Sequence, residues 1–203
     1  DFDLQMKPLI SNALELGRSF IIKDYQKKHS VLFALWKGLL LFMADRNTDY
    51  LLGAVSISGK FSTPAKALTV EFIKTNYFDH ALAAHTKNKE KTTFRLIRSF
   101  DRETFRQITR GDFGILDAFI QSIDPEFATP TLVRQYTQML NTRAVGFNVD
   151  THFNNCLDAL VYMDIRKIPK RTLLMLCKDM ESNPGIRQLI ASFPDEDEKT
   201  EAT

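Results

Sequence analysis

The stretch Leu14-Glu15-Leu16-Gly17-Arg18-Ser19-Phe20-Ile21-Ile22 decides the fold, together with the three segments that come after it in the chain. These segments are a polar turn at 23–30, an apolar helical pattern at 31–43 and a second apolar run at 50–58. Strand, helix and strand in this order predict a βαβ crossover in which strands 14–22 and 50–58 are parallel. The start of the helix is a natural position for an anion, because the first N–H groups of a helix lack partners within it.

The remaining pattern predicts a mixed α/β (α+β) protein with helices on both faces of its sheet. Ser62-Thr63-Pro64 supplies a hydroxyl cap and a first-turn proline for a helix that extends to about Asn76. The other predicted elements are helices at 31–45, 112–123, 131–140 and 169–180, and strands at 144–149 and 157–164. Residues 80–92 are polar and predict a loop. The segment 93–110 fits either a strand at 93–97 or a helix that aligns Arg98, Arg102, Arg106 and Arg110.

Composition narrows the class of protein. The 203 residues suffice for one sizeable core, and a net charge of +2 gives no general case for nucleic-acid binding. Two cysteines are too few for a disulfide framework, which favours a reducing cytoplasm. The longest apolar run, 31–43, is too short to span a bilayer, and no signal peptide is visible. We expect the acidic tail, 194–203, to be disordered.

Glu15 and Arg18 are unusual residues for a predicted strand. A buried Glu–Arg pair is expensive to keep for packing alone, so the pair points to a site. Strand alternation places the two side chains on opposite faces unless a bulge intervenes. The alternative is that they tie this strand to a neighbouring part of the protein.

Six segments of the chain resemble one bacterial family in one order. They are Glu15-Leu16-Gly17-Arg18-Ser19-Phe20, Tyr25-Gln26, Leu35-Trp36-Lys37-Gly38, the run 50–58, Gly146-Phe147-Asn148-Val149-Asp150 and Phe153-Asn154-Asn155-Cys156-Leu157-Asp158. The family is named for hemolysins and is related to the N-acyltransferases that make ornithine and glycine lipids. It has the GNAT acetyltransferase fold.

The resemblance implies a domain over 1–193 with a helical insertion at about 80–142. The elements that a GNAT fold places before the Glu15 strand are missing from this sequence. We therefore expect these residues to be the C-terminal portion of a larger domain. The resemblance also implies a β-bulge in the Glu15 strand, which would turn the side chain of Glu15 or Arg18 to the other face.

The resemblance also implies a donor site. In the GNAT fold two parallel strands splay apart, and free backbone groups of the first strand bind the pantetheine arm, here at Phe20, Ile21 and Ile22. The phosphate would meet Lys27, Lys28, His29 and Ser30. This loop lacks the glycines that let a pyrophosphate approach the backbone, which favours the phosphopantetheine of an acyl carrier protein over coenzyme A. Lys27, Lys28 and Lys37 suit an acidic carrier protein, although a solvated basic turn is the alternative.

On the acceptor side, Glu15 is the candidate base, with Arg18 beside it. Ser56 and Ser58 share one strand face, where Ser56 could protonate the leaving thiolate and Ser58 could bind substrate. The residues assigned to binding the amino acid are Asn148, Asp150 and Asp158. Turn formation by Asx side chains explains such residues equally well, above all Asn154 and Asn155. The spacing of these residues predicts no metal site, and we expect no bound cofactor.

The predicted function is transfer of a long acyl or 3-hydroxyacyl chain from acyl carrier protein to the α-amine of a small amino acid, ornithine or glycine. The product would be an aminolipid precursor. We expect a cytoplasmic protein, with peripheral contact at the inner face of the membrane as an open question. The alternative is a non-catalytic membrane- or partner-binding module of a hemolysin-like protein, in which the arginine stripe meets anionic lipid.

Overall fold

A four-stranded mixed sheet forms the centre of the protein in the computed structural model, which describes residues 3–17, 19, 21–26, 28–87, 100–180 and 182–193. The predicted roles of Arg18, Phe20, Lys27, the stretch 88–99 and the tail 194–203 lie outside the described residues, as does the side chain of His29. The strands are β1 (Ala13–Leu16), β2 (Tyr50–Ile57), β3 (Arg143–Asp150) and β4 (Cys156–Asp164), in the spatial order β1-β2-β4-β3. The predicted α+β class is confirmed.

The helices of the described residues are α1 (Lys7–Ser11), α2 (His29–Arg46), α3 (Thr63–Asn76), α4 (His80–Ala83), α5 (Arg102–Thr109), α6 (Phe113–Ile123), α7 (Thr131–Met139), α8 (Lys170–Cys177) and α9 (Pro184–Ala191). Ser62 caps α3 by accepting a hydrogen bond from the N–H of Ala65, as its sequence predicts. At the other end of the crossover, α2 closes on Asn47 in the left-handed conformation, where asparagine is well tolerated. The loop predicted at 80–92 is wrong at 80–83, which are helical, and α9 was not predicted.

The pairing of β1 with β2 is parallel, as the βαβ pattern predicts. It covers Ala13–Leu16 against Tyr50–Gly53 and then stops, while β2 continues to Ile57. The prediction of a strand over 14–22 is therefore wrong at the described residues after Leu16, namely Gly17, Ser19, Ile21 and Ile22. Gly17 weakens strand formation there, since it has no side chain to pack and a large backbone entropy to lose. A 3-10 turn at Lys23–Tyr25 then brings the chain to α2.

The two faces of the sheet are covered unequally. On one face, which we call the α2 face, side chains such as Leu51, Val55 and Met163 join two large apolar clusters beneath the helices. On the opposite face, the α1 face, Leu52 and Tyr162 are covered by Met6 and Leu9. Helices thus lie on both faces, as predicted. Further along the α1 face, Ala54 and Ser56 of β2 are exposed.

Antiparallel pairing of β4 with both β2 and β3 sets the register of the α1 face. Ser56 lies opposite Asp158, and Asp158 lies opposite Asn148. Residues in register on adjacent strands project from the same face of a sheet. The three polar residues therefore form a row across the exposed part of the α1 face.

Candidate active site

The site lies where β1 ends and β2 continues alone. Within the described residues, Ala54–Ile57 have no strand partner on the side where β1 would lie. This edge borders a cavity of about 640 Å³, a size typical of small-molecule sites. Its lining includes Leu16 at the end of β1, Ser19 after it, Gly53 and Ser56 of β2, and Trp36 of α2. Two parallel strands that part next to a cavity provide unpaired backbone groups beside space for a ligand.

The cavity is mainly apolar. Trp36, which is 1% exposed, and Leu39 form its α2 wall, and Leu132 and Tyr136 form its α7 wall. Phe153, which is 69% exposed, comes from the turn between β3 and β4 and lies at its rim. An apolar cavity with aromatic walls favours an aliphatic ligand, because transfer of apolar surface out of water drives binding.

The clearest polar contact at the cavity joins Ser56 to Asp158. The Ser56 hydroxyl donates a 2.6 Å hydrogen bond to Asp158 Oδ1. The Cys156 thiol approaches the same carboxylate oxygen at 3.4 Å. Because Ser56 also lines the cavity, this bond links the cavity to the polar row on the α1 face.

Cys156 is a residue that the sequence did not single out. The atoms of Asp150, Cys156 and Asp158 that could bind a metal ion all lie within 4.8 Å of one another. Burial first, and the Asp158 carboxylate next, raise the pKa of Cys156 to about 11, so the thiol is protonated near neutral pH. A protonated thiol is a poor nucleophile, which makes an acyl-cysteine intermediate unfavourable here. Only the register of the β3–β4 hairpin reveals this grouping, since Asp150 lies opposite Cys156.

Several predicted acceptor residues come together, and others do not. Ser56, Asp158 and Asn148 lie in one row, and Asp150 is at the end of β3 beside Cys156. Asp150 Oδ1 also accepts hydrogen bonds from the N–H groups of His152 and Phe153, the turn role considered as its alternative. Asn154 and Asn155 both have φ of 51°, which matches the turn role expected for them. Ser58 follows β2, and its hydroxyl accepts a bond from the Lys60 N–H.

Glu15 occupies a different part of the same face. It is exposed in β1 and lies in register with Leu52, so the prediction that it is buried is wrong. Four residues separate Leu52 from Ser56, about 13 Å along the strand. Glu15 shares the α1 face with Ser56 and Asp158 but does not line the cavity.

Among the described residues, the predicted donor-side residues lie after β1 and at the start of α2. Ile21 and Ile22 lie outside β1, between its end and the 3-10 turn. Helix α2 starts at His29 with Ser30 in its first turn, and Lys28 at its N-cap supplies no side-chain cap. The start of α2 therefore has an exposed lysine beside first-turn N–H groups that Lys28 does not cap.

Two predicted cationic features are partly neutralised. Lys37 Nζ lies 2.6 Å from Asp179, so its charge is shared with a carboxylate. On α5, Arg102 pairs with Glu71 at 3.0 Å and Arg106 with Glu103 at 2.8 Å. These pairs reduce the bare positive charge that an anionic membrane would meet along the arginine stripe. None of the helices in the described part of the chain has the length and apolar character needed to cross a bilayer.

Comparison with known proteins gives one informative similarity. The chain is 25% identical over 182 residues to a protein of Bacteroides thetaiotaomicron named glycine N(alpha)-acyltransferase. The match covers 82% of this chain and 51% of that protein. This chain therefore spans about half the length of the curated relative, and the similarity supports an N-acyltransferase relationship. No family model matches the chain, and no solved structure matches it either.

Proposed function

We propose that the protein takes part in N-acyl transfer, in which a long acyl or 3-hydroxyacyl chain passes from acyl carrier protein to the α-amine of a small amino acid. Glycine or ornithine is the proposed acceptor, and an aminolipid precursor is the product. The observation that carries the proposal is the parting of β1 from β2 at Leu16 beside a 640 Å³ apolar cavity. The similarity to a protein named glycine N(alpha)-acyltransferase supports the same reaction type.

The donor arm would lie along the exposed edge of the parted strands. Backbone groups at 54–57 of β2, together with Ile21 and Ile22 on the other side, can bond to the amides of a pantetheine arm. The acyl chain would enter the apolar cavity between α2 and α7. This arrangement holds the thioester carbonyl near Ser56, where the cavity meets the α1 face.

The acceptor would approach from the α1 face. Its free amine attacks the thioester carbonyl, a C–N bond forms and the C–S bond breaks. We assign the amine proton to the Asp158 carboxylate, directly or through the Ser56 hydroxyl that is bonded to it. Ser56 donates a proton to the leaving thiolate and regains one from the protonated Asp158, so the amine proton ends on the thiol and both side chains return to their starting states. Asn148 and Asp150 flank this position, and Glu15 marks the far end of the acceptor region.

The carrier protein would meet the start of α2. An acyl carrier protein presents a single phosphodiester on an acidic surface, and Lys28 with the free N–H groups of the first turn complements both. The GNAT fold remains part of the proposal. The parallel β1–β2 pair around α2, with antiparallel strands beyond it, is compatible with such a fold.

The test is a transfer assay with the whole protein. Decanoyl and palmitoyl thioesters of acyl carrier protein and of coenzyme A are each incubated with glycine or ornithine. We expect an N-acyl amino acid, formed faster from the carrier protein. An intact donor with every acceptor overturns the proposal. Liposome binding without any transfer would favour the non-catalytic alternative.

A further inference from the structure

A second, smaller cavity adjoins the first. It measures about 290 Å³, and Leu16, Trp36, Leu39 and Tyr136 line both cavities. The residues that line the small cavity alone are Ala34, Leu35 and Gly38, all of them on α2. The two cavities are therefore neighbours, and the residues that line only the second are exposed on α2.

Two of the four residues that line both cavities, Trp36 and Tyr136, are aromatic. The ring centroids of Trp36 and Tyr136 are 6.0 Å apart at an angle of 47°. Burial raises the pKa of the Tyr136 phenol, against a smaller lowering by the Trp36 indole N–H. That N–H is buried and has no hydrogen-bond partner of ordinary geometry in the part of the chain described. The Trp36 and Tyr136 side chains thus contact each other where the two cavities adjoin.

We propose that Trp36 and Tyr136 form the end wall of an acyl-chain site and limit the length of chain that the protein accepts. This inference rests on the proposed function, because it takes the occupant of the large cavity to be the acyl chain. The apolar lining favours an acyl chain as the occupant. Leu16, which lines both cavities, lies opposite Gly53, whereas Ser56 is three residues further along β2 and lines the first cavity only. A chain that enters from the Ser56 end meets the two rings with its methyl end. Longer chains must displace a ring or remain partly in water.

The test measures kcat/KM for a palmitoyl donor and for a decanoyl donor and divides the first by the second. Tyr136→Ala opens the wall toward the second cavity, and we expect the ratio to rise about tenfold or more, since a few methylenes in an apolar pocket carry that discrimination. Leu39 also lines both cavities, so Leu39→Ala should open a passage between them as well, but it should raise the ratio less. Circular dichroism and thermal unfolding establish that each variant is folded.

Gly38→Leu supplies the matched control. Gly38 lines the second cavity only, and a Cβ added to it meets nothing within 4 Å. Alone, Gly38→Leu should leave the ratio unchanged. Combined with Tyr136→Ala, it should reverse most of the gain by filling the space that the longer chain enters.

Three results overturn the inference. The first is an unchanged ratio in folded Tyr136→Ala and Leu39→Ala. The second is a lower ratio in Gly38→Leu alone, which means that the chain already reaches the second cavity. The third is a gain in Tyr136→Ala that Gly38→Leu does not reverse.

A binding measurement separates this inference from the proposed function. Displacement of a fluorescent fatty acid by palmitate and by decanoate needs no turnover. If wild type transfers nothing, the proposed function fails. The ratio of the affinities for palmitate and decanoate, measured by displacement in wild type and the variants, then decides whether the wall exists. If transfer occurs but neither ratio changes, the wall alone is refuted.

Discussion

The Ser56 hydroxyl donates a 2.6 Å hydrogen bond to the Asp158 carboxylate across two antiparallel strands. This bond lies at the border between the apolar cavity and the open part of the α1 face. If it conducts the amine proton, Asp158→Asn should lower kcat by about 10²–10⁴-fold, the usual contribution of a positioned acid or base. Ser56→Ala should lower kcat less if the amine also reaches Asp158 directly.

The control for the serine is Ser122→Ala. Ser122 is exposed on α6, and its hydroxyl donates to the Phe119 carbonyl, far along the chain from the site. Its loss should leave kcat unchanged. An Asp158→Asn variant with normal kcat would remove Asp158 from the mechanism.

Glu15 provides a separate test of the acceptor side. Because Glu15 is exposed on an edge strand, Glu15→Gln should change the free energy of unfolding by less than about 0.5 kcal/mol. We expect it to raise KM for the amino acid by about tenfold and to leave KM for the donor unchanged. Normal kinetics for both substrates would show that Glu15 has no role in the reaction.

The Cys156 thiol should make the free energy of unfolding depend on pH. Its pKa is raised from an ordinary 9.0 to about 11 in the folded state. A group with a raised folded-state pKa stabilises the fold below its unfolded pKa, and this stabilisation is lost as pH rises. The free energy of unfolding should therefore fall between about pH 9 and pH 11.

Thiolate absorbance in a Cys177→Ala background measures the Cys156 pKa directly, because Cys177 is the other cysteine and is also buried. Asp158→Asn should lower that pKa, since burial and the Asp158 carboxylate both raise it and the carboxylate's share would be lost. An unchanged pKa in Asp158→Asn would contradict the contact between the two residues.

The proposed carrier-protein surface predicts a charge effect that depends on the donor. Lys28→Glu should raise KM for an acyl carrier protein thioester several-fold and have little effect with the matching acyl-pantetheine. High salt should reduce the difference, because exposed charges are screened. Lys178→Glu, an exposed change just after α8, is the control. Equal effects of the two variants would argue against a carrier site at the start of α2.

Gly59 links the end of β2 to the hairpin that bears Cys156. A Cβ at this position would overlap the backbone oxygen of Asn154. Gly59→Ala should therefore destabilise the protein by about 1–3 kcal/mol, as overpacking does, and should displace the hairpin. Gly38→Ala has open space around its Cβ and should be neutral or slightly stabilising in α2. Urea unfolding of both variants tests the contrast.

Much of the fold could be predicted because local chemistry and tertiary structure agree. The apolar run of β2, the Ser62 cap of α3 and the turn asparagines Asn154 and Asn155 all carry signals within a few residues. The length of β1 could not be predicted in this way. An apolar run indicates that a segment tends to form a strand, but it does not show how far that segment pairs with a neighbour. The pairing of β1 with β2 stops after Leu16.

The site was predictable only in part for the same reason. Ser56, Asp158 and Asn148 were chosen one by one, but their row depends on the register of three strands. Cys156 was not chosen as a site residue, and it enters the site through its hairpin partner Asp150. Tyr136 belongs to α7, and only packing of α7 against α2 brings it to the cavity.

The most direct test of the central claim is amide hydrogen exchange of the whole protein with and without a hydrolysis-resistant acyl-pantetheine. We expect slower exchange at residues 54–57 of β2, where backbone groups next to the cavity would bond to the donor arm. We expect little change in helix α6, none of whose residues lines the cavity. Binding that leaves exchange at 54–57 unchanged while protecting another surface would contradict the claim that the parted strands hold the donor.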